Sequence, residues 1–84
     1  MSTQQQEISV GDSIEYFDEY GRPYLGLVTA VHGPANAMPS INLIYVSGDS
    51  TKTDSYGRQI ERATSVVSEA NQSAHGRWWR FVKA

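Results

Sequence analysis

Eighty-four residues make one domain, near the lower limit for a chain that folds without a covalent or metal staple. The absence of cysteine excludes disulfides and thiolate metal sites and fits a reducing compartment. No apolar stretch approaches the roughly 20 residues of a membrane-spanning helix. The opening MSTQQQE has neither a basic n-region nor an apolar h-region, so no signal peptide is expected.

The net charge of −2 conceals a split. Residues 1–50 carry six acidic groups and a single basic one, Arg22, whereas residues 51–84 carry three acidic and six basic groups. Two readings stay open. In one, the halves occupy different faces, which makes the molecule dipolar and suits head-to-tail association or an anionic partner. Alternatively, antiparallel strands interleave the halves and the charges pair. Nine aromatic residues supply most of the large apolar area from which a core this small is built.

In chain order, residues 1–7 are polar, rich in glutamine and without periodicity, and read as a disordered N-terminal tail ahead of one domain over 8–84. Val10-Gly11-Asp12 is a turn signal. Ser13 to Phe17 is a short strand with Ile14 and Tyr16 on one face. Asp18 to Pro23 is loop chemistry. Tyr24 to His32 is a second strand; alternation puts Leu25, Leu27 and Val31 on one face, and Gly26 marks a bulge or a close backbone approach. Pro34 and Pro39 exclude a strand between them.

Ile41 to Ser47 is apolar on both faces, which predicts a central strand covered on both sides. Gly48 to Gly57 reads as a long polar loop and Gln59 to Ser68 as a fourth strand. A helix competes over Arg58 to Ala70, because Glu61, Arg62 and Ala63 tolerate it. The β-branched Thr64, Val66 and Val67 favour strand. A polar loop, Glu69 to Gly76, precedes a last strand from Trp78 to Lys83. Five short strands and no clear helix predict an all-β protein, a small barrel that removes its edges by closing.

Two resemblances attach to particular residues. Gly11-Asp12-Ser13-Ile14, followed by Gly26-Leu27-Val28, resembles the opening of the KOW and Tudor type of SH3-like barrel. This implies a small five-stranded SH3-like fold. The string NLIYVSGD…TDSYGRQIERATSVV, with the late His75-Gly76-Arg77-Trp78-Trp79, resembles short bacteriophage and prophage proteins with no assigned role. That resemblance implies a protein of the virion or of the infected host's cytoplasm, and it transfers no catalytic residue.

Chemistry is sparse along the chain. The two histidines, His32 and His75, lie far apart in sequence, and no serine sits in a nucleophile-elbow setting, so no enzyme activity is expected. Asp49 to Asp54 alternates oxygen ligands but lacks the acidic third position, the glycine and the terminal glutamate of a calcium loop. It is read as a solvated hairpin loop, and neither metal nor cofactor is expected. Asn71-Gln72-Ser73 matches a glycosylation sequon, which has no consequence without secretion.

The recognition candidates are Tyr56 and Arg58 around Gly57, and Arg77, Trp78 and Arg80 in the last strand, with Arg62 between them. Tyr, Trp and Arg combine large contact area with a directed polar end. Strand alternation sends Trp79 and Phe81 inward and leaves Trp78 outside beside Arg80, where it would anchor a protein or stack on a nucleobase. The competing reading packs Trp78 beneath the 69–76 loop. It likewise has Tyr56 cap the barrel, with Arg58 paired to Asp54 or Glu61. The expectation is a non-enzymatic interaction module with a protein partner or self-association, the alternative being a nucleic-acid-binding barrel of the KOW kind. No membrane or small-molecule partner is expected.

Overall fold

A computed structural model describes residues 7–34, 37–71 and 76–82. Five strands form a closed barrel: β1 (Ser13–Phe17), β2 (Pro23–His32), β3 (Ser40–Val46), β6 (Ile60–Ser68) and β7 (Trp78–Phe81), in the order β1-β2-β3-β6-β7. Between β3 and β6 a small hairpin, β4 (Thr53–Asp54) and β5 (Gly57–Arg58), stands apart from the ring. A single 3-10 turn, Glu69–Asn71, leaves β6. The protein is thus an all-β, five-stranded barrel of the small SH3-like kind. Most of the 1–7 tail and half of the 69–76 loop, including His75, lie outside the described residues.

The interior is assembled from alternate residues of every strand. Ile14 and Tyr16 of β1, Val28 of β2, Ile41 and Leu43 of β3, Ala63 and Val66 of β6, and Trp79 of β7 are all buried, with Ile8 beneath them. Trp79 is the largest of these, and its indole N–H donates to the carbonyl of Pro39 at 3.1 Å. That bond supplies the partner a buried indole needs. Phe81 packs edge-on against Trp79, as its alternation predicts.

The two short stretches that resemble SH3-like openings meet in space. Gly11, at φ +94°, donates to Val28, and Val28 donates back to Asp12, at 2.8 and 2.9 Å. Gly26 is a close approach: a Cβ there would lie 2.9 Å from Ile14 Cδ1 and 3.3 Å from Leu43 Cδ1. The bulge in β2 lies three residues further on.

That bulge overturns the predicted face of β2. The register with β3 slips between Val28 and Ala30, so Thr29 is the extra residue and the alternation changes sense there. Gly26 and Val28 face the core before the bulge, and Val31 packs against it afterwards. Leu25 and Leu27 therefore point outward, on the face opposite to Val31. A second slip, between Ile41 and Leu43, opposes a bulge in β6 at Thr64–Ser65, where Ser65 takes φ +53°. Asn42 sits between the two bulges. Its Oδ1 accepts from the Ser65 N–H at 3.0 Å and lies 2.9 Å from His32 Nε2.

Two further expectations are corrected. β3 lies between two neighbours but is not covered on both faces, because Val46 is largely exposed and Ile44 only half-buried. Closing the sheet into a ring takes one face inside and leaves the other bare. The 48–57 segment is also more than a loop. Asp54 accepts the Tyr56 N–H at 2.8 Å and Gly57 adopts φ +117°, which together turn β4 into β5.

Candidate functional site

The six residues singled out in the sequence occupy several different settings. Tyr56 stands at the tip of the β4–β5 hairpin, 98% exposed, and does not cap the barrel. Arg58 pairs with neither Asp54 nor Glu61; its guanidinium donates to the Ser47 carbonyl at 2.9 Å. Arg77 donates to the Thr64 carbonyl at 3.0 Å. Arg62 lies on the outer face of β6, opposite Ile44 of β3.

Trp78 and Arg80 do lie together, but the indole is not bare. Phe17 of β1 stacks on Trp78 with ring centroids 4.1 Å apart and an 11° angle between planes. The Arg80 guanidinium covers both rings, 4.9 Å from the Phe17 centroid and 5.8 Å from that of Trp78. It also pairs with Glu15 at 3.2 Å and Glu69 at 3.7 Å. The stack arises from register, since β1 and β7 pair antiparallel with Phe17 opposite Trp78 and Glu15 opposite Arg80. Sequence alternation placed Trp78 outside correctly; Phe17, more than sixty residues away along the chain, could not be foreseen as its cover.

The charges pair partly across the two halves. Glu15–Arg80 joins them, whereas Lys52–Glu61 at 3.4 Å and Glu69–Arg80 lie within the second half.

Two surface features were not anticipated. The first is an apolar outer face. Leu25 and Leu27 of β2, Ile44 and Val46 of β3, and Ile60 of β6 line a shallow groove of about 210 Å³. Leu25 is 69%, Ile60 63%, Val46 55% and Leu27 41% exposed. Registers lay them out in two rows. Ser13, Leu27, Ile44 and Arg62 form one by direct pairing, and Glu15–Leu25 and Val46–Ile60 continue the other. Val82 extends the apolar surface beside Leu25. The signal was present in the sequence as apolar residues on both faces of the third strand, but it reads equally as burial.

The second feature is a tyrosine-lined mouth at one end of the barrel. Tyr24 and Tyr45 lie 4.7 Å apart over Tyr16, ringed by Asp18, Asp49 and Glu61. Burial, followed by the neighbouring Tyr16 and Glu61, pushes the Tyr45 hydroxyl up to about 12. Burial likewise raises that of Tyr16, against a lowering by the Arg77 charge. The carboxylates already have local partners. Hydrogen bonds from Thr51 hold Asp49 below the usual carboxylate range, and Ser47 and Lys52 do the same for Glu61. Asp18 accepts the N–H groups of Tyr20 and Arg22, both at 2.9 Å.

Among the described residues no three His, Asp or Glu side chains converge as metal ligands. In the loop compared above with a calcium site, Asp49 Oδ1 accepts from both the N–H and the hydroxyl of Thr51. No helix is long and apolar enough to cross a membrane among the described residues. No family model, curated protein or solved structure matches this chain. The reading of its surface therefore rests on its own residues.

Proposed function

We propose that this barrel is a non-enzymatic protein-interaction module that docks through the outer face of β2, β3 and β6. The bacteriophage setting that its sequence resembles would make it a component of the particle or a modulator of a host protein. One observation carries the reading: Leu25, Leu27, Val46 and Ile60 are exposed together rather than singly. Scattered apolar residues are ordinary on a protein surface, whereas a contiguous set marks a contact site. These side chains leave on the order of 400 Å² of apolar surface in water, about the size of the largest patch on a typical monomer.

Two further observations support side-chain docking. The sheet closes into a ring in which β1 and β3 are paired on both sides, and strand addition is limited to the part of β6 beyond its two pairs with β7. Arg58, Arg77 and Arg80 hold carbonyls or carboxylates of the chain itself, and Phe17 covers Trp78, which weakens the case for stacking on nucleobases.

The test is light scattering behind size exclusion, on the protein alone, with infected-cell lysate, and with short single- and double-stranded DNA at two salt concentrations. The expected result is a defined protein complex, indifferent to DNA and lost in the double variant Leu25→Lys/Ile60→Lys, whose far-ultraviolet circular dichroism stays unchanged. A shift with DNA at low salt that reverses at higher salt would overturn the proposal in favour of nucleic-acid binding.

A further inference from the structure

The apolar face has a charge arrangement that bears on its occupant. Its two rows run across the barrel from β1 to β6. Arg62 ends the Ser13–Leu27–Ile44 row on the β6 side, and Glu15 begins the other row on the β1 side. The centre, Leu25, Leu27, Ile44 and Val46, carries no charge. Opposite charges therefore stand at opposite margins of an apolar patch, the disposition that a two-fold axis through the patch makes self-complementary.

We infer that a second copy of this chain covers the face. The two barrels stack outer face to outer face about a two-fold axis, with Arg62 of each copy against the Glu15 margin of the other. The inference rests on the reading of this face as a protein-docking surface and names its occupant. Arg80 engages Oε1 of Glu15, whose side chain stays partly exposed at this margin.

Area argues the same way. A standard interface buries about 800 Å² on each partner, somewhat more than half of it apolar. The patch supplies on the order of 400 Å² of apolar surface, and its polar margins complete the remainder. A stack of this kind needs no strand edge and leaves the closed ring as it is. The dimer is expected to be modest in affinity, because no large aromatic anchor sits at the centre of the patch.

The experiment uses the full chain. Sedimentation equilibrium from micromolar to near-millimolar concentration should show a monomer–dimer equilibrium. Arg62→Glu should weaken it by about tenfold at low salt, and by less as salt rises. Because the chain has no cysteine, a single introduced thiol reports proximity directly. Leu27→Cys should couple into dimers through a bismaleimide spanning about 10 Å, the spacing of stacked sheets. Tyr56→Cys, at the hairpin tip, should not.

A monomer at the highest concentration, with Leu27→Cys coupling no faster than Tyr56→Cys, would overturn the dimer. A dimer indifferent to both Arg62→Glu and Leu25→Lys/Ile60→Lys would overturn this geometry. If the chain is monomeric, a complex with another protein that the Leu25→Lys/Ile60→Lys pair abolishes would leave the docking reading standing. Capture unaffected by that pair would remove both.

Discussion

The inner and outer faces of the sheet are built from the same residue types, yet they do different work. Inside, Ile14, Val28, Ile41, Leu43 and Trp79 are buried to the last few per cent and belong to one cluster. Outside, Leu25, Leu27, Val46 and Ile60 line up across the same strands without a cover. The inner set is what a chain of this size and without cysteine needs in order to fold. The outer set contributes little to the isolated barrel, since its surface stays in water in the native state as in the unfolded chain. An apolar investment that folding does not require points to a contact made after folding.

The comparison breaks most readily at Trp79. Trp79→Ala should destabilise the barrel by about 3–5 kcal/mol, from the cavity it leaves and the unpaired Pro39 carbonyl. Urea denaturation would read it as a lowered midpoint. Gly26→Ala should cost about 1–3 kcal/mol, because its methyl group enters space held by Ile14 and Leu43. The same measurement serves.

A third test sharpens the inner side through pH. Tyr45 is neutral in the fold up to about 12, against 10.0 for the ordinary group. Between these values the unfolded chain gives up the Tyr45 proton and the folded one keeps it. Stability should thus be fully present below pH 10 and fall as pH rises towards 12. Tyr45→Phe should flatten that fall, as followed by thermal unfolding across the alkaline range. The smallest effect belongs to the outer face: Leu25→Ser with Ile60→Ser should leave monomer stability within about 0.5 kcal/mol of wild type. A large loss there would show that the face is structural after all.

Much of the fold was legible in the sequence. The Gly11-Asp12 turn, the inward pair Ile14 and Tyr16, and the inward pair Trp79 and Phe81 all follow from turn chemistry and alternation, and strand over helix at Ile60–Ser68 follows from its β-branched residues. What escaped was whatever depends on a change of register. Thr29 and Ser65 are ordinary residues, and nothing local says that the chain bulges at them; both bulges flank Asn42, which lies on another strand and accepts the Ser65 N–H. Once the Thr29 bulge is missed, Leu25 and Leu27 are assigned the wrong face, and with them the surface that matters most. The β4–β5 hairpin escaped because two-residue strands carry no periodicity. Of the recognition candidates read from the sequence, Trp78 and Arg80 lie side by side, whereas Tyr56 stands at the hairpin tip and Arg58 turns to the Ser47 carbonyl.

The ring also has an uneven seam. β1 and β7 match over four residue pairs, but β6 and β7 meet in parallel over two, Val67–Trp78 and Ser68–Trp79. Closing the ring joins Ile14 to Phe81, a contact between nearly opposite ends of the described chain, and such distant contacts form late and slowly. The short parallel seam is accordingly where the barrel should breathe. In hydrogen exchange, its amides should lose protection well before those of β2 and β3. Each opening would lengthen the stretch of β6 without a β7 partner and present it to other chains, so the lifetime of the seam, more than overall stability, would set how readily concentrated protein aggregates.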